Sequence, residues 1–103
     1  MAEHIPYANL SEDQKKLVDS WKRWERFSAA QKGWGLDKLV GDGSWEVREE
    51  VAEQGYGLDR LVDDEKLWVR RVVAAHGYGL DRLLYDESPL VRDTARKALE
   101  GSV

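Results

Sequence analysis

Apolar residues in this chain fall into two helical spacings that alternate. Leu36, Leu39 and Val40 stand at i, i+3 and i+4, as do Leu58, Leu61 and Val62, a spacing that predicts a short helix with one buried face. Beyond an acidic turn, Val47 and Val51, Val69 and Val73, and Val91 and Ala95 are each four apart and predict a second helix. The pattern then recurs. Gly33-Trp34-Gly35-Leu36-Asp37-Lys38-Leu39-Val40 returns as Gly55-Tyr56-Gly57-Leu58-Asp59-Arg60-Leu61-Val62 and as Gly77-Tyr78-Gly79-Leu80-Asp81-Arg82-Leu83-Leu84, offset by 22 both times. Asp42, Asp64 and Asp86 keep the same register, and so do Arg48, Arg70 and Arg92. Helices this short cannot bury their apolar faces alone, so such units are expected to stack on one another.

The expected organisation is a single all-α domain. Residues 1–10 form a flexible arm, 11–32 a capping helix with a cryptic half-repeat, and 33–54, 55–76 and 77–103 three repeats, the last with a C-terminal cap. Ser11-Glu12-Asp13-Gln14 has the form of a capping box and predicts a helix start. Leu17, Trp21, Trp24 and Phe27 follow at helical spacing, a stripe expected to cover the open end of the array. Arg26 to Gly33 is a degenerate copy of Arg48 to Gly55, which carries the cryptic half-repeat. Glycine pairs punctuate the joints, and Pro89 suits the first turn of the last helix.

The run Leu36-x-x-Leu39-Val40-x-Asp42, then Val47-Arg48-x-x-Val51-Ala52, resembles the leucine-rich repeat variant family, and its Asp…Val-Arg spacing also resembles HEAT repeats. The resemblance covers about residues 33 to 99. It implies a short right-handed α-solenoid of stacked two-helix units, α alternating with 3₁₀. This chain departs from the family in its 22-residue period, against about 24, and in carrying Gly43, Glu65 and Glu87 where the family has Pro. The founding type also holds a Cys-bound iron–sulfur module; with no cysteine here, that feature does not carry over, and no cofactor is expected.

Each Asp…Arg pair, Asp42 with Arg48, Asp64 with Arg70 and Asp86 with Arg92, spans the turn between the two helices of a unit. We expect a structural ladder in which the Asp caps amides of the second helix and the Arg meets a neighbouring carboxylate or carbonyl. A second column joins Trp34, Tyr56 and Tyr78 to Lys38, Arg60 and Arg82, four residues on. Aromatic and basic side chains together are enriched at binding hot spots, so this column is the candidate partner-binding face. The competing reading packs the rings over the glycine turns and pairs the cations with Asp37, Asp59 and Asp81.

Charge narrows the choice of partner. Residues 33–103 carry ten Lys/Arg against fifteen Asp/Glu, within a net charge of −4 for the whole chain. That acidic balance disfavours nucleic acid, whose non-specific grip comes from neutralised phosphates. No apolar run reaches membrane-spanning length and no signal peptide precedes the repeats, so the expected address is cytoplasmic. His4 and His76 stand apart, the Gly-x-Gly runs fail the dinucleotide fingerprint, and no P-loop or nucleophile motif occurs. The expected function is therefore a non-enzymatic module binding another protein, as monomer or weak homo-oligomer. A HEAT-like nucleic-acid binder and a self-assembling unit are the alternatives.

Overall fold

A computed structural model describes residues 3–101, and the chain divides into two compact units, Met1–Tyr56 and Gly57–Val103. Both are helical. The first holds a 3₁₀ turn, Tyr7–Asn9, and helices α1 (Glu12–Val18), α2 (Arg23–Gln31), α3 (Leu36–Leu39) and α4 (Trp45–Glu53). The second holds α5 (Leu58–Leu61), α6 (Leu67–Ala75), α7 (Leu80–Leu83) and α8 (Pro89–Gly101). Among the described residues the extended pairing is limited to one isolated parallel bridge, Ile5 with Trp34.

The capping box starts α1: the Gln14 amide donates to Ser11 Oγ at 3.2 Å and the Ser11 amide to Gln14 Oε1 at 2.8 Å. The helix ends at Val18, so the span expected to hold one capping helix holds two. The break follows from local chemistry. Ser20 Oγ accepts the amide of Lys22, the N-cap residue of α2, and the Ser20 carbonyl accepts from the Arg26 guanidinium. The same two bonds recur 22 residues on, where Asp42 accepts from the Ser44 amide and its carbonyl from Arg48. Ser20 thus stands where the later turns carry Asp.

Helices α2, α4 and α6 each close on a glycine followed by an aromatic residue. The Gly33 amide bonds to the Ala30 carbonyl and the Trp34 amide to the Ala29 carbonyl; Tyr56 and Tyr78 bond likewise to Val51 and Val73. This is the Schellman arrangement, which uses up carbonyls that a helix end would leave bare. The second glycine of each pair opens the next short helix, and at Gly79 nothing else fits. Its φ is +67°, and an added Cβ would meet Val62 Cγ2 at 2.7 Å.

Inside the first unit Val18, Leu36, Leu39, Val47 and Val51 are fully buried; inside the second Leu61, Val69, Val73 and Val91 are. Each contributes roughly 1.5–3 kcal/mol by leaving water. Small buried residues, Ala29 and Ala30 on α2 and Ala52 on α4, let those two helices pack together, as Ala74 and Ala95 do for α6 and α8.

Residues 3–10, expected as an arm, are fastened to the first unit. The Ile5 amide donates to the Gly33 carbonyl at 2.9 Å, and the Gly35 amide donates to the Ile5 carbonyl at 2.8 Å. The Tyr7 amide donates to Asp37 Oδ1 at 3.0 Å, and Leu10 is buried. We call this segment the strap.

Candidate functional site

The expected binding column is in large part taken up by the scaffold. Trp34 and Tyr56 are half-buried: Trp34 pairs its backbone with the strap and lies under Lys32, and Tyr56 meets the edge of the His4 ring, centroids 6.2 Å apart. Lys38 is tied to Asp19 and lies 4.3 Å from the centroid of Tyr7, whose hydroxyl also donates to Asp19. Those two hydrogen bonds hold the Asp19 carboxyl below its ordinary value, and the bond to Asp19 raises the Lys38 ammonium and the Tyr7 hydroxyl above theirs. Arg82 is tied to Asp63. The cations therefore reach 19 residues back for their carboxylates rather than to Asp37 and Asp81. At the position 19 before Arg60 stands Gly41, and Arg60 is exposed and makes no ion pair among the described residues. Tyr78 is the exposed ring of the column.

The Asp/Arg residues make a bidentate ladder with one refinement. Arg26 and Arg70 each bond the turn carbonyl six residues before them and the carboxylate 16 residues after them. Arg26 Nε lies 2.8 Å from Asp42 Oδ1, and Arg70 Nε 2.8 Å from Asp86 Oδ1, with a second contact in each pair. Arg48, Arg70 and Arg92 bond the carbonyls of Asp42, Asp64 and Asp86. The Asp side chains accept the amides of the residues two on, Ser44, Lys66 and Ser88. They therefore fix the turn ahead of the second helix instead of capping its first turn. Burial alone would raise the Asp86 carboxyl; the Arg70 guanidinium and the Ser88 amide outweigh it and hold the carboxyl below 3.8. This geometry is structural, as charge-assisted forks are when largely screened from water.

The tryptophan stripe corrects the sequence reading. Trp21 is 82% and Trp24 64% exposed, whereas Leu17 and Phe27 are half-buried. The cause is the break after Val18: Trp21 falls in the turn, and the helical spacing does not run through it. Lys22 lies 5.8 and 6.0 Å from the centroids of the two indoles.

Trp24 marks a register position that sequence reasoning missed. It is the second residue of α2, and the second residues of α4, α6 and α8 are Glu46, Trp68 and Leu90. Trp68 is 39% and Leu90 45% exposed, and the Arg71 guanidinium sits 5.9 Å from the Trp68 ring. In the second unit α6 packs on α8, and Arg71 Nε also reaches Thr94. Reading every fourth-from-Ser20 position in the 22-residue register would have shown Trp, Glu, Trp and Leu where exposed helix positions call for polar residues.

Among the described residues, no group of three or more His, Cys, Asp or Glu side chains is placed to hold a metal ion, and no helix is long and apolar enough to cross a membrane. A recess of about 240 Å³ lies along the strap, lined by His4, Ile5, Pro6, Leu36, Asp37 and Tyr56. No family model, curated protein or solved structure matches the chain. The class defined by the fold is that of an all-helical protein.

Proposed function

We propose that the chain is a non-enzymatic helical repeat protein that binds another protein, its two-helix segments stacked as a short solenoid. The observation that carries the reading is the exposure of large apolar side chains in both units, Trp21 and Trp24 in the first and Trp68 and Leu90 in the second. Large apolar side chains kept in water cost solvation, and aromatic residues flanked by cations are what binding hot spots use. Lys22 and Arg71 supply the cations. The helix pairs within each unit, and the leucine-rich repeat variant resemblance, support the solenoid. A cytoplasmic address belongs to the same proposal and rests on the sequence alone.

The test is capture from host lysate with wild type and with a Trp24→Ser, Trp68→Ser, Leu90→Ser variant, each with and without nuclease. Exposed positions leave the thermal midpoint nearly unchanged, so the variant reports binding and not folding. A nuclease-resistant partner that binds the purified wild type and is lost in the variant is the expected result. Capture abolished by nuclease would move the reading to nucleic acid, and equal capture by both proteins would remove these side chains as the site.

A further inference from the structure

The strap is an extended peptide seated on a turn, and the same turn occurs again without one. At Gly33–Asp37 the strap bonds to three groups: the Gly33 carbonyl, the Gly35 amide and the Asp37 carboxylate. Two belong to the main chain, so the grip is the strand-addition mode, in which backbone bonds give affinity and side-chain recesses give selectivity. The turn 44 residues later has the same conformation. Gly33 and Gly77 have φ of +77° and +76°, Gly35 and Gly79 +65° and +67°, and Asp81 stands where Asp37 does.

Exposure differs as an unoccupied copy requires. Gly33, Gly35 and Leu36 are buried, whereas Gly77 is exposed and Gly79 and Leu80 are half-buried. A Cβ built on Gly33 would meet the Glu3 carbonyl at 2.6 Å, while one on Gly77 meets nothing within 4 Å. Among the described residues of the second unit, the Gly77 carbonyl, the Gly79 amide and the Asp81 carboxylate have no hydrogen-bond partner, although their counterparts bind the strap.

We propose that the Gly77–Asp81 turn is a docking edge for an extended segment of a partner protein with the strap's chemistry: an aliphatic residue, then proline, then an aromatic residue. The aliphatic residue supplies the amide and carbonyl that Ile5 supplies to Gly33 and Gly35. Proline holds the segment extended, as Pro6 does with φ −59° and ψ 149°. The residue after it donates its amide to Asp81. A second copy of this chain is the weaker occupant, because its single strap would surrender at one turn the bonds gained at the other. The inference shares with the proposed function only the premise that the chain binds proteins, and it concerns different residues.

The probe is the acetylated octapeptide of residues 3–10, titrated into the intact ¹⁵N-labelled protein. Saturable amide shifts at Gly79 are expected, and they disappear with the same peptide N-methylated at isoleucine, which cannot donate to the Gly77 carbonyl. Asp81→Ala, at an exposed position, weakens binding about fivefold, the worth of one hydrogen bond. Shifts that persist with the N-methylated peptide, shifts confined to Gly35, or none at millimolar peptide would overturn the proposal. So would a concentration-dependent dimer without peptide that Asp81→Ala abolishes, which would make a second copy the occupant. The Trp24→Ser, Trp68→Ser, Leu90→Ser variant still binds the peptide, so failure of those exposed apolar residues as a site and failure of this edge are read separately.

Discussion

The turns Gly33–Asp37 and Gly77–Asp81 have nearly the same backbone and opposite surroundings, one under the strap and the other open to water. What is common to them comes from the repeated residues: the glycine pair, the aromatic residue between and the aspartate. What separates them comes from residues outside the repeat. A repeated sequence thus specifies a recurrent shape, and single flanking segments decide which copy of that shape is available.

The bonds common to both regions should matter most. Arg26 with Asp42 and Arg70 with Asp86 are the same fork in the two units, with side chains 19% and 8%, and 10% and 8%, exposed. Removing Arg70 leaves Asp86 buried and unpaired, so Arg70→Ala is expected to cost about 3–5 kcal/mol, and Arg26→Ala a comparable amount. Arg92 bonds only the Asp86 carbonyl, and Arg92→Ala is expected to cost about 1 kcal/mol. Urea denaturation gives all three; equal losses for Arg70 and Arg92 would show that the fork contributes nothing beyond the carbonyl bond. The pH dependence has a definite sign. The folded-state carboxyl of Asp86 lies below its ordinary 3.8, so its stabilisation is present above that value and lost as pH falls through the folded pKa. Glu50, pushed up by burial, works the other way and favours the folded state below 4.5. Asp86→Asn should therefore lower stability at pH 7 and flatten its decline under acid.

Much of this frame was legible in the sequence. The 22-residue period, the helix pairs, the capping box and the Asp/Arg columns could be placed because periodicity and caps are local signals. The strap could not: Ile5 and Tyr7 bind 28 and 30 residues away through backbone atoms that have no sequence signature. The tryptophan stripe misled because helical spacing was extended across Ser20, whose side chain mimics the aspartate of later turns. The ion-pair partners expected for the binding column's cations missed for a related reason. Lys38 and Arg82 find acids at Asp19 and Asp63, a pairing offset of 19 that the 22-residue register does not advertise.

Alanine in place of glycine compares the two turns at smaller scale. Gly77→Ala meets only its positive φ and is expected to cost about 1–2 kcal/mol. Gly33→Ala adds the collision with the Glu3 carbonyl, so it either displaces the strap or costs about 1 kcal/mol more, the worth of a main-chain bond. Gly79→Ala forces its Cβ into the Val62 methyl and should exceed Gly77→Ala as well. Thermal midpoints of the three variants test the order, and Gly77→Ala as the most damaging would contradict the account of what covers each turn.

The smallest expected effect reads the strap directly. The Gly35 amide is bonded to the Ile5 carbonyl inside a buried glycine, whereas the Gly79 amide has no acceptor in its unit. Amide hydrogen exchange at Gly35 should be slower than at Gly79 by about tenfold or more, because it requires the strap to lift. Tyr7→Phe removes the hydroxyl that donates to Asp19 but keeps the ring under Lys38 and the backbone bonds, so it should accelerate Gly35 only slightly. Deleting residues 1–7 removes the acceptor itself and should bring Gly35 to the Gly79 rate while leaving Gly79 unchanged. If Gly35 stays slow after the deletion, its protection comes from helix packing, and the difference between the two turns does not lie in the strap.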